Sequence, residues 1–235
     1  MAKKNKEISS SNLIKVKPIT EGQKSVFETW KKGQNQFLFG CAGTGKTFIS
    51  LYLAMQDVLD LKTKYDKVIL VRSLIPTREI GFLPGDEEDK AALYQVPYQN
   101  MVKFMFEQPN EQAFNMLYDR LKNQGSLYFL STSFLRGLTF DNSIIIVDEC
   151  QNLNLHELDT ITTSVGQDSK IVFCGDFNQT DLLKQNERNG LHDFLRILME
   201  MQEFNCVEFN IGDIVRSGFV RNYLIQKTKL GMGME

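Results

Sequence analysis

The sequence predicts an α/β protein built on one doubly wound, mainly parallel sheet with a helical insertion. Three observations predict it. Short apolar runs alternate with longer stretches of helical periodicity, which is the signature of strands joined by crossover helices. The runs are apolar throughout instead of alternating with polar residues, as strands buried on both faces require. The chain has 235 residues, enough for one large domain.

Taken in order, the strand candidates are Gln36–Phe39, Val68–Val71, Leu127–Leu130, Ser143–Val147, Ile171–Cys174 and Val207–Phe209. Each is β-branched or aromatic and is bounded by Gly, Asp or Asn. Helical patterns occupy Lys46–Leu61, Lys90–Phe106, Glu111–Asn123, Leu155–Val165, Leu191–Met201 and Asp213–Lys229. Between Ser73 and Asn123 two helices and a Pro/Gly-rich loop separate consecutive strands, so residues 73–123 are expected to form an insertion or lid on the core. Residues 1–17 carry five lysines and one glutamate around Ser9-Ser10-Ser11. That composition predicts a flexible, solvated basic tail. The domain proper is expected over residues 18–230, and residues 231–235 read as a frayed terminus.

Composition narrows the function. The chain is 42% hydrophobic and 24% charged, with 27 basic and 29 acidic residues and a net charge of −2. A uniformly basic nucleic-acid coat is excluded; a local basic patch is not. No apolar run approaches the roughly 18 residues of a membrane helix, and the first residues are charged rather than apolar. The four cysteines stand at 41, 150, 174 and 206, without a CxxC pair, so a zinc site is not indicated. Reduced thiols in a cytoplasmic protein are the expectation.

Gly40-Cys41-Ala42-Gly43-Thr44-Gly45-Lys46-Thr47 fits G-x-x-x-x-G-K-[ST], directly after a strand and before a helical pattern, which is the context the motif requires. Its glycines let successive N–H groups curl inward on phosphate oxygens, and the new helix presents its positive end to the same anion. Lys46 is expected to reach the β- and γ-phosphates of ATP, and the Thr47 hydroxyl to take one position on Mg²⁺. The apolar strand from Ser143 ends in Asp148-Glu149. At the carboxyl end of a strand beside the phosphate loop, Asp148 suits the Mg²⁺ shell and Glu149 the polarisation of an attacking water. Gly175-Asp176-Phe177-Asn178-Gln179 follows the next strand, where the Gln179 amide can sense the γ-phosphate. A kinase has a substrate hydroxyl to accept phosphate, so Glu149 and Gln179 argue for hydrolysis instead. Cys41, near a helix N-terminus, is a candidate for an activated thiol.

Together these elements resemble the core of superfamily-one helicases, with a Walker A loop, a D-E-x-Q segment at Asp148-Glu149-Cys150-Gln151 and a G-D-x-x-Q segment. In such proteins an adenine-reading glutamine precedes the loop, and Gln23 stands 17 residues before Gly40. Further segments resemble the PhoH-like ATPases of bacteria and their viruses. These are Gly81-Phe82-Leu83-Pro84-Gly85-Asp86 after Leu70-Val71-Arg72, Arg136-Gly137-Leu138-Thr139-Phe140-Asp141, Asp148-Glu149-Cys150-Gln151-Asn152, and Asp213-Ile214-Val215-Arg216. The resemblance runs from about Gln23 to Arg221 and implies a single RecA-like domain that hydrolyses ATP with Mg²⁺ and forms a homo-oligomer, most plausibly a hexameric ring. It also implies a link to RNA. The nuclease domain fused to some members does not fit within this chain's length, and neither does a second motor domain.

Arg72 and Arg78 are the expected contacts to single-stranded RNA or DNA, because helicase-like proteins place a strand-binding segment there. Arg216 is the first candidate for the arginine finger, with Arg188 and Arg136 behind it. The leading expectation is therefore an ATPase coupled to single-stranded nucleic acid. An ATP-dependent assembly switch for a protein partner is the alternative. A cytoplasmic location follows, in the host cytoplasm if the source is viral.

Overall fold

The computed structural model describes residues 6–73, 87–132, 135–176 and 185–230. Arg78, Gln179 and the Gly81–Asp86 segment lie outside them. Six strands form one sheet: β1 (Asn35–Gly40), β2 (Lys67–Arg72), β3 (Leu127–Ser131), β4 (Ser143–Asp148), β5 (Lys170–Cys174) and β6 (Phe204–Phe209). Their order is β3-β2-β4-β5-β1-β6, and every pairing is parallel. The fold is thus α/β with a RecA-like arrangement: β5 separates the phosphate-loop strand β1 from the acidic strand β4.

The uniform apolarity of the strands has the predicted cause. β4 and β5 are buried at every position, because both faces are covered. Alternate residues supply two cores. Leu38, Leu70, Ile144, Ile146 and Val172 face one, with α1 (Glu21–Lys31), α2 (Lys46–Leu59), α3 (Glu87–Met105) and α4 (Glu111–Asn123) contributing Trp30, Met55, Val102 and Leu121. Phe37, Ile69, Ile145, Val147 and Phe173 face the other, beneath α5 (Leu155–Thr163) and α6 (Gln185–Glu200). Each such side chain contributes about 1.5–3 kcal/mol on burial, so a one-residue slip of β4 would exchange both cores at once.

Three expectations are corrected. Residues 6–17 are not a solvated tail: Ile8 and Leu13 are buried in the first core, and Ile14 N donates to Met105 O at 2.8 Å. Lys6 Nζ donates to the carbonyls of Val58 and Asp66, each at 2.7 Å. The arm's charge masked its apolar residues at 8, 13 and 16. Helix α1 was not anticipated, although Thr20 caps it by accepting from Gln23 N at 3.3 Å, and Gln23, Val26 and Trp30 form its buried stripe. The last helix, α7, spans Gly218–Lys229 and does not start at Asp213. Asn210 and Asp213 instead close a capped 3-10 turn. Asp213 also accepts from Gly22 N at 2.9 Å, which ties that turn to α1.

At the amino end of β5, Lys170 is 2% exposed. Its Nζ lies 4.1 Å from the Trp30 ring centre and donates to Trp30 O at 3.2 Å. Burial lowers its pKa to about 8 despite nearby Asp57. Against a usual value of 10.5, the charged form is disfavoured by about 3 kcal/mol. Between these two values the unfolded chain binds more protons than the folded one, so stability gained through Lys170 rises with pH across that window and is absent below it. Buried thiols and Tyr65 titrate at overlapping pH, so the comparison must be with Lys170→Met. The stability of wild type minus that of Lys170→Met, from urea unfolding, should increase by about 3 kcal/mol from pH 7 to pH 10.5. A pH-independent difference would contradict the assignment.

Candidate nucleotide site

The turn from β1 into α2 is held open by backbone geometry that only glycine tolerates. Gly40 has φ +104, and a Cβ there would stand 2.2 Å from Phe209 O of the neighbouring strand. Gly43 has φ +74, and Gly45 begins α2 in the left-handed region. Lys46, the first residue of α2, folds back over the loop: Nζ donates to Gly40 O at 2.8 Å and to Cys41 O at 2.7 Å. Burial lowers its pKa, and Asp176, Cys174 and Asp148 oppose that shift.

Parallel pairing brings the acids to the loop. Thr47 Oγ1 donates to Asp148 Oδ1 at 2.7 Å across 101 residues of chain. Tyr98 of α3 donates its hydroxyl to the other oxygen, Oδ2, also at 2.7 Å. Asp148 is thus held from two sides. Glu149 sits at φ 53, ψ 41, a left-handed conformation unusual for a residue with a side chain, of the kind that concentrates at functional sites. Gln151 Nε2 donates to Glu149 Oε2 at 2.5 Å, while Gln151 Oε1 accepts from Asp176 N at 3.0 Å. One amide therefore links the acidic pair to the segment after β5. Burial, then Asp148, push the Glu149 pKa up, against opposing contributions from Gln151, Arg72 and Lys46.

Several expected residues stand where sequence reasoning did not put them. Arg72 pairs in register with Asp148 and is half-buried. Its guanidinium interacts electrostatically with Tyr98 and lies 5.6 Å from the Tyr94 ring centre. Burial alone would lower its pKa, but Tyr98, Asp148 and Glu149 raise it on balance. It therefore stands beside the acidic cluster. Gln23 is buried and supports the loop from behind, donating to Thr44 O at 3.1 Å and accepting from Ile19 N at 2.9 Å. Arg216 lies over the loop of its own chain: a Cβ on Gly43 would touch its Cγ at 2.8 Å, and Val215 N donates to Gly43 O at 3.0 Å. The Cys41 thiol does not have the lowered pKa expected beside a helix N-terminus. Burial, then Asp176, raise its pKa. Arg136 donates to His156 Nε2 at 2.6 Å. Cys150 and Cys174 are fully buried, and burial pushes both thiols up.

A family model described as PhoH-like protein matches residues 15–226. The chain belongs to the PhoH-like family. Curated relatives include a PhoH-like protein of Synechocystis sp., 31% identical over 88% of this chain and 60% of its own length. Protein PhoH of Escherichia coli is 30% identical over 87% and 56%. Protein PhoH2 of Bacillus subtilis is 35% identical over 61% and 32%. The chain spans between a third and three fifths of the length of these relatives. Among solved structures, Bacteroides Pif1 bound to ssDNA is matched over 92% of this chain and 49% of its own, with 18% identity and a TM-score of 0.41. The PhoH-like chain carries a P-loop between β1 and α2, and no helix among its described residues is long and apolar enough to cross a membrane.

The site fits Mg²⁺ in its donor chemistry. Thr47 and Asp148 offer one hydroxyl and one carboxylate, hard oxygen donors few enough to leave room for phosphate oxygens and water. Among the described residues no cluster of three or more His, Cys, Asp or Glu competes for a metal.

Proposed function

We propose that this PhoH-like chain hydrolyses ATP with Mg²⁺ and couples that hydrolysis to single-stranded RNA or DNA. The observation that carries the hydrolytic half is the convergence of Lys46, Thr47, Asp148 and Glu149 at one end of the sheet. In this reading the loop N–H groups and Lys46 hold the β- and γ-phosphates, Lys46 exchanging its present carbonyl acceptors for phosphate oxygens. Thr47 and Asp148 would hold Mg²⁺, which would supply positive charge to the phosphate oxygens. Glu149, oriented by Gln151, accepts the proton of the attacking water; its raised pKa suits a general base better than an exposed glutamate. Gln179, outside the described residues, is proposed as the γ-phosphate sensor.

Arg216 is proposed to act in cis. Its side chain already packs on Gly43 of its own loop, so the positive charge it supplies comes from the same chain. Mixing Lys46→Ala with Arg216→Ala subunits should then restore no activity, because no interface regains an intact site. Recovery to a quarter of wild-type turnover would show that it acts across an interface. A homo-oligomeric ring remains part of this proposal, with Arg136 or Arg188 as the residue a neighbour contributes; a fully active monomer in sedimentation would contradict it.

For the nucleic-acid half, Arg78 is retained as a phosphate contact, and Arg72 is reassigned to the acidic cluster. Anisotropy of labelled single-stranded RNA and DNA should show binding that weakens steeply with salt, and Arg78→Ala should flatten that dependence. One observation favours a second reading, an ATP-dependent assembly switch. Helix α7 exposes Phe219 (83%) and Tyr223 (58%), while its Leu224 Cδ1 comes within 3.1 Å of the Cβ position at Gly43. Oligomerisation driven by ATP, with no nucleic-acid binding at low salt, would favour that reading over the first.

A further inference from the structure

We propose that Tyr98 is a positioning residue: its hydroxyl fixes the Asp148 carboxylate opposite Thr47 and ties the insertion helix α3 to the Mg²⁺ that accompanies the nucleotide. The inference rests on the nucleotide–Mg²⁺ reading above and adds a residue and a coupling to it.

Helix α3 lies on the core through Tyr98, Val102 and Met105, all buried. The spacing is that of one helix face. At positions 102 and 105 the side chains are apolar. Position 98 differs, since a ring that packs 5.7 Å from Phe129 of β3 also carries a hydroxyl into the interior. Tyr98 is 2% exposed, so an unpaired hydroxyl there would be costly, and a phenylalanine would fill the same space without that cost. The hydroxyl has one proton and gives it to Asp148 Oδ2. Arg72, the residue on β2 that pairs with Asp148 in the sheet register, sets its positive charge beside both Tyr98 and Asp148.

The consequence is a connected path from Tyr98 to Asp148 and from Thr47 to the same carboxylate, with the Arg72 charge beside it. Two hydroxyls, one on each oxygen, fix the carboxylate's rotation. Outer partners of this kind change metal affinity by about 10- to 100-fold when removed. Because Tyr98 belongs to the insertion and not to the sheet, a displacement of α3 must either carry Asp148 with it or break this bond. A ligand that engages the insertion is therefore coupled to the metal position.

The test uses the full chain and a fluorescent ATP analogue. Tyr98→Phe keeps the ring and removes only the hydroxyl. Its nucleotide affinity in EDTA should equal that of wild type, while the Mg²⁺ concentration giving half of the metal-dependent gain in affinity should rise about tenfold. A general packing defect would weaken binding in EDTA as well. In wild type labelled with ¹³C-tyrosine, the Tyr98 ring resonance should shift on adding Mg²⁺ to the nucleotide complex, a readout that needs no variant. An unchanged Mg²⁺ requirement in Tyr98→Phe, or an unmoved resonance, overturns the inference while leaving the site assignment intact. Wild type that binds no nucleotide overturns both.

Discussion

Lys46→Ala lowers ATP turnover by about a thousandfold, roughly 4 kcal/mol of transition-state stabilisation. That is the expected result of removing the lysine whose Nζ lies over this loop. In the proposed reaction, charge developing on the transferred group would be met by the loop N–H groups, Lys46 and Mg²⁺, and Lys46 is the part with no backbone substitute. Fold stability should move the other way. Lys46 is 9% exposed, and burial disfavours its charged form, so the alanine variant should melt no lower than wild type. Turnover measured beside a thermal midpoint therefore separates a lost functional charge from a damaged fold. A variant that hydrolyses ATP within tenfold of wild type would contradict the role.

Glu149→Gln lowers turnover by a factor of about 10²–10⁴ and leaves Mg²⁺-dependent nucleotide binding in place. The substitution keeps shape and an oxygen that can accept from Gln151. Thr47 and Asp148 are unchanged, so the metal position survives. Only the capacity to take a proton is lost. A stable complex with unhydrolysed ATP is the expected product, detectable by filter binding. Parent-rate hydrolysis would remove Glu149 from the mechanism.

The parts of this site that are contiguous in sequence were legible there. Gly40–Thr47 and Asp148-Glu149 each carry their chemistry in one stretch, and the strands that aim them announce themselves by uniform apolarity. What could not be read is what distant chain brings to them. Arg72 was expected to contact single-stranded nucleic acid. Only the register β2 against β4 sets it beside Asp148. Tyr98 stood in an apolar helical stripe where an aromatic residue signals core, and nothing local shows that its hydroxyl meets an acid 50 residues away. Gln23 and Arg216 were both singled out, but their placement depends on α1 and the Asn210–Asp213 turn closing on the loop from opposite ends of the chain. The N-terminal arm was misread for a different reason: five lysines hid two residues that the core buries.

The most direct test of the central claim is phosphate release by wild-type protein supplied with ATP, in Mg²⁺ and in EDTA, with and without a single-stranded oligonucleotide. The account predicts continuous turnover in Mg²⁺, none in EDTA, and a faster rate when the oligonucleotide is added. Nucleotide that binds with Mg²⁺ but is never cleaved, with or without the oligonucleotide, would contradict it.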